Sequence, residues 1–253
     1  MSVLDGFDLT GRVAIVTGGT RGIGLAIARG LADAGADVVP TARNDDDVEA
    51  AAASVRERGG DSLAVPTDVT DDEAVESLVE RTHEELGGPD VLVNNAGINP
   101  AGALGPPEDV DSDAADDVLD VNLRGAFRCV RAAADHLRDS EAGAVVNVAS
   151  VGGVVGLPRQ HPYVASKHGV VGLTKSMAID WAPAVRVNAL APGYVATDLT
   201  AELREDESLR ESILDRTPLD RFADPEEIAP AAVFLASDAA SFVTGECLTV
   251  DGG

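Results

Sequence analysis

RVAIVTGGTRGIGLAIARGLADAG, residues 12–35, is the stretch that decides the fold. Its first six residues form a short, continuous apolar run, the pattern of a strand buried on both faces rather than one. From Ile23 onward apolar residues return at helical spacing, so a helix begins inside the turn TGGTRGIG, residues 17–24. Glycines at 18, 22 and 24 let that turn close tightly and come near a ligand. The helix start supplies free N–H groups and a partial positive charge, which suit a pyrophosphate. The spacing is GxxxGxG and not GxGxxG.

The same rhythm continues almost to the C-terminus. Strands are expected at 36–41, 62–67, 90–95, 143–150, 185–190 and 247–251, with helical patterns between them. One of these helices, DEAVESLVERTHEELG, is expected to be capped by Thr70 with Glu73 completing a capping box. The alternation predicts an α/β fold: a doubly wound, Rossmann-like parallel sheet of about seven strands with helices on both faces. No linker, repeat or low-complexity segment divides the chain, so residues 1–253 are expected to form one domain. In such sheets ligands bind beyond the C-terminal ends of the strands.

Composition narrows the function. The net charge is −25, with 44 acidic side chains against 19 basic ones, which argues against nucleic acid or an anionic membrane as partner. The acids are scattered and form no long block, as expected of a solvated surface adapted to high salt, with a basic partner as the alternative. There is no apolar run of membrane-spanning length and the N-terminus lacks signal-peptide organisation, so a cytoplasmic location is expected. Cys129 and Cys247 lie far apart and suit small core residues. His83, His136, His161 and His168 lack ligand spacing, so no metal site is expected. His161, two residues before Tyr163, fits either the border of a substrate site or the surface.

Seventeen of the 19 basic residues are arginine; the lysines are Lys167 and Lys175. Lys167 follows Tyr163 by four residues in YVASK, which on a helix places both on one face. The turn at 17–24 resembles the TGxxxGxG motif of the short-chain dehydrogenase/reductase family. Asn122 in DVNLRG, Ser150 at the end of VVNVAS, and Tyr163 with Lys167 carry the same resemblance, as does NNAG at 94–97. It covers nearly the whole chain.

The resemblance implies a catalytic set of Asn122, Ser150, Tyr163 and Lys167. Reducing a ketone takes a hydride from a nicotinamide and a proton for the developing alkoxide. A tyrosine gives that proton more readily when a cation lowers its pKa from about 10. The compact ammonium of lysine can face the phenol while holding the ribose hydroxyls, which a planar guanidinium does less well. Ser150 would bond the substrate oxygen, and Asn122 would hold a water linking Lys167 to solvent. Lys175 has no such role and suits the surface.

The implied cofactor contacts are Gly18, Thr20, Arg21, Gly22, Ile23 and Gly24 at the turn, and Asp68 and Val69 at the adenine. Asn95, Ala96 and Gly97 run beside the cofactor, and Pro192, Gly193, Val195 and Thr197 lie on the nicotinamide side, with Tyr163 and Lys167 at the ribose. The second strand runs into Ala42 and Arg43, with no acid at its end to repel a 2′-phosphate. Arg21 and Arg43 could clasp that phosphate, which predicts NADP(H); the alternative is that both are ordinary surface charges. The ending SFVTGECLTVDGG resembles the family's interface strand and implies a homotetramer. Specificity is expected from 151–162 and from a helical lid running from Thr197 to about Pro218. The expected activity interconverts a secondary alcohol and a ketone, on 3-oxoacyl thioesters or on sugars, aldonates or polyols. The rival of another class is a non-catalytic dinucleotide-binding regulator.

Overall fold

Ala14 and Val16 pack into one hydrophobic cluster while Ile15 between them packs into another. Val91 and Val93 alternate with Leu92, and Ala144 and Val146 with Val145, in the same sense. Successive strand residues point to opposite faces, so a continuous apolar run fits a sheet covered on both sides. The computed structural model, which describes residues 2–253, contains that sheet. Its six strands are β1 (Val13–Thr17), β2 (Asp37–Thr41), β3 (Val91–Asn94), β4 (Ala144–Val148), β5 (Arg186–Pro192) and β6 (Cys247–Val250). They lie in the order β2-β1-β3-β4-β5-β6, and every pairing is parallel.

The helices are α1 (Gly22–Asp33), α2 (Asp45–Arg56), α3 (Asp72–Leu86), α4 (Ser112–Leu119), α5 (Ala126–Asp139), α6 (His161–Trp181), α7 (Ala201–Glu205), α8 (Glu207–Leu214) and α9 (Ala229–Ala236). On one face Ile27 and Leu31 of α1 pack with Ala232 and Leu235 of α9. On the other, Leu78 of α3, Val130 and Leu137 of α5, and Met177 of α6 close the second cluster. No helix among the described residues is long and apolar enough to cross a membrane. Cys129 is buried, and burial pushes its thiol up to about 12, whereas Cys247 on the edge strand is half-buried.

Two local expectations change. The segment 62–67 runs beside β2 without becoming a strand, so the sheet has six strands and not seven. Val38 N–H reaches Asp61 O at 3.0 Å and Thr67 N–H reaches Ala42 O at 2.8 Å. Between these two bonds Pro40 has no N–H to offer the next rung, and Pro66 lacks one on the other side. Side chains supply the remaining ties, with Ser62 Oγ donating to Val38 O and Thr41 Oγ1 to Val65 O. The cap of α3 is Asp71 and not Thr70: its carboxylate accepts from Glu73 and Ala74 N–H. Thr70 instead spends its hydroxyl on Asp68 Oδ1 at 2.8 Å.

Strand order reverses at β1, whose neighbours β2 and β3 carry the chain away in opposite directions. The crevice beyond the ends of β1 and β3 is therefore where this architecture places a ligand.

Candidate active site

The turn after β1 is shaped for close approach. Gly18 and Gly22 have φ of +61° and +51°, in the left-handed region that glycine enters freely. A Cβ on Gly18 would stand 2.9 Å from the Ala96 Cα, and one on Gly24 would overlap the Gly18 carbonyl and the Asn95 amide. Asn95 Nδ2 donates to Thr17 O at 3.0 Å and Gly18 O at 2.9 Å, while Thr17 Oγ1 accepts from Asn95 and Ala96 N–H, each at 3.1 Å. The segment after β3 is thereby stitched to the glycine turn. Ile23 anchors the start of α1 against the core, and Thr20 remains half-exposed in the turn. This cradle fits a dinucleotide pyrophosphate: backbone lies where any side chain would obstruct, in front of a helix start.

Across the crevice, α6 carries Tyr163 and Lys167 to the end of β4. Lys167 is 4% exposed, and its ammonium donates to Val148 O at 2.8 Å. Nζ lies 5.8 Å from the Tyr163 ring centroid, and a Cβ on Gly97 would come within 3.6 Å of it. Ser150 begins the loop after β4 and accepts from Gly152 N–H at 3.0 Å. Asn122 sits in a π-helical turn, Asp120–Gly125, and is buried. Its Oδ1 accepts from Ile98 N–H at 2.8 Å, and its Nδ2 donates to Ile98 O at 3.0 Å and Ser166 Oγ at 3.2 Å. Both donors of the amide are thus spent on joining the loop after β3 to α6.

The profile of the family described as enoyl-(acyl carrier protein) reductase matches residues 18–253. A cis-4-hydroxycyclohexanecarboxylate dehydrogenase of Sinomonas cyclohexanicum is 46% identical over 245 residues, covering 96% of each chain. The chain belongs to the short-chain dehydrogenase/reductase family. A 3-oxoacyl-(acyl-carrier-protein) reductase of Staphylococcus aureus is 40% identical over 95% of this chain and 96% of its own. Among solved structures, a gluconate 5-dehydrogenase of Burkholderia cenocepacia in complex with NADP and tartrate superposes with a TM-score of 0.94 at 38% identity, covering 100% of this chain and 98% of that one.

Burial dominates the electrostatics of this dehydrogenase/reductase site. Burial pushes the Tyr163 phenol above its ordinary value, against the hydrogen-bonding Ser150 side chain, and the Tyr194 phenol adds to the rise. Burial also depresses the neighbouring Lys167 ammonium, to about 8. Burial would raise the Asp68 carboxyl, but Thr70 N–H and hydroxyl, with Arg43 and Arg128, outweigh it and hold it low. Val69 packs against Gly125 of the π-helical turn.

The arginines expected at a 2′-phosphate differ in setting. Arg43 is exposed and donates to no protein group among the described residues, Asp45–Asp47 included, whereas Arg21 pairs with Asp198 at 3.5 Å. Beyond β5, Gly193 N–H donates to Val250 O at 3.0 Å, just after Pro192. Val195 is buried, and its carbonyl accepts from Thr200 Oγ1 at 2.6 Å. Thr197 faces the glycine turn, its Cγ2 3.2 Å from where a Gly22 Cβ would stand, and Arg204 Nη2 donates to its carbonyl at 3.1 Å. Lys175 is exposed on α6.

Thr17 and a buried polar chain beneath the site are revealed only by the fold. Asn94 Nδ2 donates to Asn147 Oδ1 and Asn147 Nδ2 to Thr174 Oγ1, each at 2.9 Å, linking β3 through β4 to α6. The readable signal was an asparagine in the middle of the apolar strand AVVNV. His83 and His136 stack at 4.3 Å between ring centroids, and no group of three or more His, Cys, Asp or Glu among the described residues is placed to hold a metal.

Proposed function

We propose that the protein is an NADP(H)-dependent oxidoreductase interconverting a secondary alcohol and a ketone. The observation that carries this is the convergence of Ser150, Tyr163 and Lys167 beside the glycine cradle at the switch point of the sheet. When bound, the nicotinamide supplies the hydride to the carbonyl carbon, or takes it back from the alcohol. In reduction, the Ser150 hydroxyl bonds the carbonyl oxygen while Tyr163 gives its phenolic proton to the developing alkoxide. In oxidation, the phenolate takes that proton from the alcohol. Lys167 is assigned to the ribose hydroxyls and to steadying the phenolate, and Asn122 to anchoring the loop against α6.

The remaining cofactor contacts are assigned as the family's motifs place them, from Gly18 to Gly24 at the pyrophosphate, Asp68 and Val69 at the adenine, Asn95 to Gly97 along the dinucleotide, and Pro192 to Thr197 at the nicotinamide. Arg43, exposed and without an ion-pair or hydrogen-bond partner among the described residues although its charge also acts on Asp68, supports a 2′-phosphate and hence NADP(H). Substrates of two classes are supported by relatives: 3-oxoacyl thioesters, and hydroxy acids such as aldonates.

We further propose one domain over 1–253, a homotetramer, a cytoplasmic location and an origin in a high-salt organism. Assembly is supported by the exposure of Phe127, Ile179, Leu219 and Phe242, and salt adaptation by the charge of −25. The functional test is spectrophotometric, in molar KCl: NADPH oxidation by acetoacetyl thioesters and oxo acids, and NADP reduction by aldonates and polyols. Tyr163→Phe should lose several orders of magnitude in turnover with nearly unchanged cofactor affinity. Retention of more than about a tenth of the rate, about 1.4 kcal/mol of barrier, refutes the assignment. Absence of any cofactor turnover across the panel favours the non-catalytic regulator.

A further inference from the structure

We infer that Arg159 is a specificity-determining residue that recognises a carboxylate on the substrate, so that the enzyme's ketones and alcohols are oxo and hydroxy acids; this rests on the oxidoreductase reading above. Arg159 lies on the loop that leaves β4 at Ser150 and re-enters the fold at α6, where Gln160 is the N-cap and Tyr163 lies in the first turn. The loop's end is fastened to the catalytic residues. The side-chain amides of Asn99 and Gln160 bond each other at 3.0 Å, and Asn99 follows Ile98, which Asn122 grips through both its N–H and its carbonyl. The position of residue 159 is therefore fixed relative to Asn122 and Tyr163.

The backbone there is unusual. Arg159 has a φ of +62°, and Asp220 is the only other non-glycine residue with a positive φ among those described. Gly105 N–H donates to the Arg159 carbonyl at 3.0 Å and holds the turn. Glycine or asparagine meets such a position with less strain, yet the chain places a long cation there, and strain of this kind gathers where a side chain has a task.

Charge makes the same point. The protein has 44 acidic side chains for 17 arginines, and most arginines find a protein acceptor. Among the described residues Arg159 is exposed and donates to no carboxylate or carbonyl. Its fork is left open on the loop that joins Ser150 to the helix carrying Tyr163, in a molecule whose net charge of −25 would otherwise repel an anionic substrate. A planar guanidinium matches a carboxylate with two parallel hydrogen bonds.

The test compares 4-oxocyclohexanecarboxylate with its carboxamide, two ketones of closely similar shape that differ by one charge, as substrates for NADPH oxidation in molar KCl. The native enzyme should favour the acid by at least about tenfold in kcat/KM, about 1.4 kcal/mol. Arg159→Gln and Arg159→Gly should bring the acid-to-amide ratio close to one, chiefly by raising KM for the acid, while Arg159→Lys keeps part of the preference. The glycine variant guards against misfolding, because glycine takes this backbone freely and its thermal stability should equal or exceed that of the native enzyme. A native enzyme indifferent to the charge, or variants that lose acid and amide equally, would overturn the inference. Failure to reduce either compound while acetoacetyl thioesters are reduced would overturn it too and leave the oxidoreductase reading intact; failure with every ketone would sink that reading itself.

Discussion

Replacing Lys167 with methionine separates what the residue costs the fold from what it gives the site. Burial depresses the ammonium from its ordinary 10.5 to about 8, which corresponds to about 3 kcal/mol against the protonated form. Methionine removes that penalty and is unbranched and one heavy atom shorter, but Val148 O loses a donor at 2.8 Å, a loss of about 1 to 3 kcal/mol. At pH 7 the variant should therefore be as stable as the native protein, or more stable by up to about 2 kcal/mol. The pH dependence has a definite sign. Below about 8 the folded and unfolded chains both hold the proton and the full penalty stands. Between about 8 and 10.5 the unfolded chain binds a proton that the folded one releases, so native stability rises with pH relative to the variant. By pH 10.5 the native protein should have gained about 3 kcal/mol on the variant, or about 6 to 12 °C in Tm for a chain of this size. Circular-dichroism melts at pH 7.5, 9 and 10.5, at constant KCl, read this directly. A Tm difference independent of pH would show that Lys167 is not the buried, depressed cation described here.

Gly24→Ala should destabilise the protein by about 1 to 3 kcal/mol in chemical denaturation and abolish detectable binding of NADPH by fluorescence, because its Cβ would overlap the Gly18 carbonyl and the Asn95 amide; normal binding would mean the cradle relaxes. Arg43→Ala should raise KM for NADP(H) at least about tenfold and leave NAD(H) kinetics little changed. Equal losses with both cofactors would make Arg43 structural. Activity and Tm should both climb from low salt toward molar KCl, since screening relieves repulsion among 44 acids opposed by 19 bases. A flat salt profile would leave the acidic surface without that explanation.

What the sequence by itself determined lies where local chemistry suffices. β1, the glycine turn and α1 follow from a run of apolar residues, three glycines and helical spacing within 24 consecutive positions. Tyr163 and Lys167 share a helix face because they are four residues apart. Where two local choices are nearly equal, a neighbouring group decides between them. Thr70 and Asp71 can each cap α3, and Asp68 decides between them by engaging the threonine hydroxyl. The run 62–67 has the composition of a strand, but whether it pairs depends on the donors of β2, 24 residues earlier, and Pro40 withholds one.

Only the tertiary structure decided the partnerships of distant residues. It spends the Asn122 amide on Ile98 and Ser166, joins Asn94, Asn147 and Thr174 beneath the site, and pairs Arg21 with Asp198 while the charge of Arg43 acts on Asp68. It also turns Arg159 into a left-handed backbone held by Gly105. The physical reason is that a hydrogen bond or a desolvation penalty depends on distances of a few ångströms between groups that lie tens of residues apart in the chain. Lys167 shows the difference: its spacing from Tyr163 is written in the sequence, whereas its pKa near 8 comes from the depth at which the packed fold buries it.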